Sequence, residues 1–71
     1  MINVRRIAAH EVIIADKTYS PGVVEIVEGK VVSCYKLIGE QAQTEWLGGT
    51  IIVKKNAEGY SKAYYNGKPI N

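Results

Sequence analysis

Short β-branched runs alternate with turn-forming residues along the whole chain. Over residues 3–16 the strand formers Val4, Ile7, Val12, Ile13 and Ile14 favour extended backbone, and Ala8-Ala9-His10 interrupts them. This reads as one long strand with a bend or bulge near Ala9, or as two short strands. A helix over residues 2–10 fits less well, because apolar positions 2, 4, 7 and 8 follow neither period. Asp16, Ser20, Pro21 and Gly22 mark a loop over residues 16–22, with Pro21-Gly22 suited to the centre of a type II turn.

The clearest unit comes next. Residues 23–28 and 31–38 are β-branched runs joined by Glu28-Gly29-Lys30, a hairpin in which Gly29 supplies a positive φ. The first run presents Val24/Ile26/Glu28 on one face and Val23/Glu25/Val27 on the other. The return run presents Val32/Cys34/Lys36/Ile38 and Val31/Ser33/Tyr35/Leu37. No face is cleanly polar, so both sides need cover, from a small barrel or sandwich or from a second chain. Residues 40–45 are polar and read as one helical turn or an irregular loop. Trp46-Leu47 returns to apolar character, and Gly48-Gly49 breaks any element. Strands are predicted over 50–55 and 60–65, with a turn over 56–59. Asn66-Gly67 is a strong hairpin signal, and Pro69 confines the stub after it to a sheet edge. The pattern predicts an all-β fold: a small sandwich or open barrel of five to seven mainly antiparallel strands, one domain over residues 1–71.

Length sharpens this picture. A chain of 71 residues buries only about 60% of the surface its unfolded form exposes. Its single cysteine, Cys34, allows no intramolecular disulfide. With His10 as the lone histidine, one chain assembles no His/Cys zinc set. No metal or other cofactor is expected, and association with a second copy or another protein is the remaining source of stability. Nine Lys and Arg against seven Asp and Glu leave a net charge of +2, too small to argue for nucleic acid. No signal-peptide pattern and no run of 18 apolar residues is present, so the expectation is a cytoplasmic protein without a membrane span.

The segment from Ile13-Ile14-Ala15-Asp16 through Pro21-Gly-Val-Val-Glu-Ile-Val-Glu-Gly-Lys-Val-Val-Ser-Cys-Tyr-Lys-Leu37 resembles the N-terminal β-segment of the metal-dependent amidohydrolases, the dihydroorotase- and cytosine deaminase-like enzymes. There a strand, a loop and a hairpin with an Asp-Gly-Lys or Glu-Gly-Lys turn precede the catalytic barrel. Trp46-Leu47-Gly48-Gly49-Thr50 stands where that family moves toward its barrel, and Tyr65-Asn-Gly-Lys-Pro-Ile70 is similar to its closing strand. The resemblance covers residues 10–55. It implies the family's small non-catalytic β-sandwich. The family's His-x-His metal pair is missing here, so no catalytic or metal residue carries over.

Individual residues point the same way. His10 has only Glu11 as a neighbouring carboxylate, and in a strand that side chain faces away, so a surface or half-buried histidine is expected. Cys34, between Ser33 and Tyr35, fits a small core hydrophobe with nothing nearby to lower its pKa. Glu25, Glu28, Glu40 and Glu45 have no spacing that sets two carboxylates across a cleft. Gly48-Gly49 precedes a strand rather than a helix and makes no phosphate loop. The aromatic and lysine positions Tyr35, Trp46, Tyr60, Lys62, Tyr64 and Tyr65 are the candidate interaction surface, with Trp46 as core plug or contact anchor. The chain therefore reads as a non-enzymatic module that forms a homodimer or binds another protein. The alternative is a small barrel that stacks single-stranded nucleic acid on its Tyr/Lys-rich C-terminal strands.

Overall fold

A computed structural model describes residues 3–39 and 43–70. Among these, 63% lie in strands and none in a helix. The strands are β1 (Arg5–Ala9), β2 (Glu11–Ile14), β3 (Lys17–Tyr19), β4 (Gly22–Val27), β5 (Lys30–Lys36), β6 (Thr44–Trp46), β7 (Thr50–Lys55), β8 (Ser61–Tyr65) and β9 (Lys68–Pro69). They form two sheets, ordered β5-β4-β1-β6 and β3-β2-β7-β8-β9, stacked as a sandwich that does not close into a barrel. The all-β class is as expected. The strand number is higher because β3 and β6 form where loops were expected.

A crease explains the topology. Pairing runs in one register from Ile14↔Lys17 through Val12↔Tyr19 to Ala9↔Gly22 and Arg5↔Ile26. Residues 5–14 and 17–26 are thus one long hairpin about Ala15-Asp16, where Ala15 has φ 53°. The hairpin folds over at His10 on one arm and at Ser20-Pro21 on the other, and each half joins a different sheet, as at the corners of orthogonal sandwiches. The expected loop over 16–22 is therefore replaced by a turn, strand β3 and the crease. Pro21-Gly22 is not a type II turn either: Gly22 lacks the positive φ that such a turn needs at its second central position, and it opens β4. What Gly22 provides is room. A Cβ there would lie 2.7 Å from Val12 Cβ and Cγ2 and 2.9 Å from the Tyr19 carbonyl. Only a residue without a side chain lets the inside of the fold close this tightly.

A third arm bends on the same line. β6 runs parallel to β1 and β7 parallel to β2, so the β6–β7 arm lies alongside the β1–β2 arm. These are two parallel pairings against five antiparallel ones. Residues 44 and 45, expected in a helical turn or loop, form a strand with Trp46, and Gln43 before them has φ 55°. Residues 40–42, also part of that expectation, lie outside the described residues, as does the candidate Glu40.

The Glu28-Gly29 hairpin is as expected, with φ of 51° and 79° at the two central residues, the type I′ pattern that matches strand twist. Simple alternation fails in β5. The register shifts opposite Glu25/Ile26 so that Val32 has no partner. This bulge turns Val31 and Cys34 onto the core and leaves Val32 61% exposed. It also disrupts the edge of the longest strand, which Lys30 and Lys36 bracket, a protection against edge pairing. Asn66-Gly67 makes the last hairpin, with φ of 53° and 78°, and Pro69 sits on the edge strand β9, both as predicted.

The core is Ile7, Ala9, Val12, Val24, Ile26, Ile51, Val53, Ala63 and Ile70, with Ile14, Tyr19, Val31, Cys34 and Tyr65 packed around it. These residues come from the inner faces of both sheets. Ala8 and Val23 are just as buried but sit opposite each other on the outer face of the first sheet.

Candidate functional site

Three groups of polar and aromatic side chains result from this fold. The first lies at the crease. Between the pairs Ala8↔Trp46 and Glu11↔Thr50 the β6–β7 arm has one residue more than the β1–β2 arm. The ladder resumes on both sides, with Leu47 N–H donating to the Ala8 carbonyl and Glu11 N–H to the Gly49 carbonyl. The extra residue leaves the Gly49 N–H without a ladder partner, and His10 Nδ1 accepts it at 2.9 Å. The imidazole meets the Trp46 ring edge-on, with centroids 4.9 Å apart, and Gly48 leaves room beneath them. From the inner side the Tyr65 hydroxyl donates to the Leu47 carbonyl at 3.0 Å. His10 is exposed, as expected, but its role is to satisfy a backbone donor that the bend sets free. Trp46 is no core plug: it is 53% exposed.

The second group covers the outer face of the first sheet. Arg6 Nε donates to Glu25 Oε2 at 2.7 Å, and the Tyr35 hydroxyl donates to the same oxygen at 2.9 Å. The Arg6 guanidinium first, and the Tyr35 hydroxyl second, hold the Glu25 carboxyl below the usual carboxylate range. Opposite charges facing each other across β1 and β4 are a favourable cross-strand pair. On the opposite face of that sheet, in register with Ile26 and Ile7, Arg5 and Glu45 make a second, more exposed pair between β1 and β6 through two hydrogen bonds of 2.7 and 3.0 Å.

The third group is the outer face of the second sheet. Register places Thr18, Ile13, Ile52, Tyr64 and Pro69 in one row across its five strands. Ile52 is 40% exposed. On one side of this row Lys54 lies directly opposite Lys62. On the other Glu11 is paired with Thr50, whose hydroxyl donates to Glu11 Oε1 at 3.3 Å. Two like charges directly opposite in a ladder are unfavourable, and among the described residues no carboxylate forms an ion pair with either lysine.

The six candidate positions do not share one surface. Lys62 and Tyr64 lie together on the second outer face. Tyr35 is on the first. Trp46 is at the crease. Tyr60 precedes β8 with Lys30 Nζ 4.8 Å from its ring centroid, and Tyr65 points inward. Of the three C-terminal tyrosines, only Tyr64 stands beside outward lysines as a stacking platform requires. Cys34 is half-buried on the inner side, where burial pushes its thiol pKa up. It borders an open hollow of 390 Å³ with Ile14, Tyr19 and Val31. Among the described residues no three His, Cys, Asp or Glu side chains are grouped to hold a metal ion. Sequence reasoning passed over Ile13 and Ile52, although two adjacent isoleucines in a half-buried strand already require one of them to face outward.

No family model matches the chain, and no curated protein matches it significantly. Among solved structures it is similar to a mutant N-acetyl-D-glucosamine-6-phosphate deacetylase from Mycobacterium smegmatis, in complex with N-acetyl-D-glucosamine-6-phosphate. The TM-score is 0.57 at 22% identity, over 72% of this chain and 13% of that one. That enzyme is an amidohydrolase. At this identity the likeness is one of fold, and this chain spans a small fraction of the enzyme's length.

Proposed function

We propose that this chain is a non-catalytic β-sandwich module, built like the accessory sandwich of amidohydrolases, that works by associating with another copy of itself or with another protein. The observation that carries this reading is the bare outer face of the second sheet: an apolar row with an unpaired lysine pair beside it, in a domain whose other outer face is covered by its own side chains. Support also comes from the crease and the first sheet, where His10, Glu25 and Glu45 serve as structural partners of a backbone amide and two arginines. The fold likeness to a small part of a deacetylase fits an accessory role.

Two measurements test the proposal. Sedimentation equilibrium is expected to show association that rises with concentration. Incubation with N-acetyl-D-glucosamine-6-phosphate is expected to release no acetate; turnover abolished by His10→Ala would overturn the non-catalytic reading. Salt-sensitive binding of an oligothymidylate that is lost in Tyr64→Ala would favour the nucleic-acid alternative instead.

A further inference from the structure

We infer that the outer face of the second sheet is a self-complementary surface on which two copies pack, related by a two-fold axis that lies across the strands, along the Ile13–Ile52–Tyr64 row. This rests on the self-association reading above and specifies the face, the axis and the charged groups that select it.

The face has three zones, read along β7 as Thr50, Ile52 and Lys54, outward residues two apart. Beside Thr50 lies Glu11, beside Ile52 lie Ile13 and Tyr64, and beside Lys54 lies Lys62. One end of the face is therefore basic, the middle apolar, and the other end acidic and hydroxylic. A two-fold axis parallel to the strands would stack the lysine pair of one copy on that of the other. Four ammonium groups with no carboxylate among them would face one another, which disfavours that arrangement. An axis across the strands reverses strand direction in the second copy. It lays Lys54 over the other copy's Thr50, with that copy's Glu11 on the adjacent strand and Lys62 one strand further out, and the apolar row over itself. Both ends of the contact are then satisfied, once on each side of the axis, as a symmetric dimer requires. The sheets remain near-aligned, which is the ordinary geometry of face-to-face packing.

The same arrangement accounts for the lysine pair, unfavourable within the monomer and favourable beside the other copy's carboxylate. The footprint is at most about 19 by 20 Å, from five strands and the six residues of β7 at ordinary spacings, below the size of stable specific interfaces and in the range of weak, transient ones. Exchange with monomer at micromolar concentration is the expected behaviour.

Charge complementation tests this. Alone, Glu11→Lys brings lysine beside lysine across the contact, and Lys54→Glu/Lys62→Glu brings carboxylate beside carboxylate. Each variant is expected to associate about tenfold more weakly than the wild type, the scale of a few exposed charge contacts reversed twice over. Mixed together, the two variants complement each other at both ends of the interface. The mixture is expected to recover association to within about threefold of the wild type, and to lose that recovery in high salt. All substitutions are at exposed or half-exposed positions, and thermal melts report folding. Should the double variant not fold, Lys54→Glu alone carries the same test. A mixture no stronger than its components overturns the proposal. Wild-type association unchanged by every substitution also overturns it while leaving self-association intact through another surface. A wild type monomeric up to about 1 mM overturns both.

Discussion

The two outer faces of this sandwich solve the same problem differently. Each carries apolar residues that a small chain has no further layer to cover. On the first sheet the chain uses its own side chains. Arg6, Glu25 and Tyr35 interlock at 2.7 and 2.9 Å, and the row that runs Tyr35, Val23, Ala8, Trp46 buries its two central members to 1% exposure or less. On the second sheet the same kind of row is left open. Ile52 stays 40% exposed, and the charges beside it repel instead of pairing. A face that is covered internally contributes to the stability of the monomer. A bare one contributes little until something lies on it.

The largest test of this contrast places the same charge on each face. Val23→Asp puts a carboxylate in a fully buried site with no cation aimed at it, a cost of about 3–5 kcal/mol against a total of about 5 kcal/mol for a domain of this size. That variant is expected not to fold. Ile52→Asp is expected to change monomer stability by less than about 1 kcal/mol while weakening association. Urea titration of both variants at low concentration checks the pair, and equal costs would erase the distinction between the faces.

The fold that separates the faces is the next target. Gly22→Ala drives a methyl group to within 2.7 Å of Val12 and is expected to cost about 1–3 kcal/mol by overpacking. Val12→Ala in the same chain is expected to recover part of that loss, because it removes the atoms that clash.

A smaller effect comes from acid. The folded-state pKa of Glu25 is depressed, so its contribution is fully present above the ordinary carboxylate value of about 4.3. It is lost as the pH falls through the lower folded value. Denaturant midpoints of the wild type are expected to drop in that acidic window. Glu25→Gln removes this share of the drop and starts from a lower stability at neutral pH. An unchanged acid profile in the variant would show that the Arg6–Glu25–Tyr35 cover is not energetically coupled to folding.

The smallest expected effect is at the crease. His10→Ala removes the acceptor of the Gly49 N–H, but the site is exposed and water replaces it, so the cost is about 0.5–1 kcal/mol. The clearer readout is Trp46 fluorescence, since its edge-on neighbour is gone.

Much of this was legible in the chain. The turns at Glu28-Gly29 and Asn66-Gly67 follow from local backbone preference, which needs no knowledge of the rest of the molecule. The bend near Ala9 and the edge position of Pro69 were legible for the same reason. The all-β class follows from β-branched runs at regular spacing. The hairpin about Ala15-Asp16 was missed because neither residue is glycine, and only pairing on both sides holds Ala15 at positive φ. The parallel pairing of β6 with β1 and of β7 with β2 joins segments about 40 residues apart, and nothing local encodes it. The bulge at Val32 escaped detection because both faces of the run mix apolar and polar residues, so alternation reads equally well in either register.

The sequence by itself determined the class of fold, the sites of the tight turns, the absence of an internal disulfide, and that apolar residues would outnumber the places to bury them. These are properties of composition and of neighbours in the chain. Tertiary structure alone decided where the arms crease, why Gly22 must lack a side chain, that His10 serves a backbone amide, and which sheet face is left bare. Those outcomes depend on register between distant strands. A shift of one residue would exchange every inward side chain for an outward one, and only the packing of both sheets on one core selects the pairing that is found.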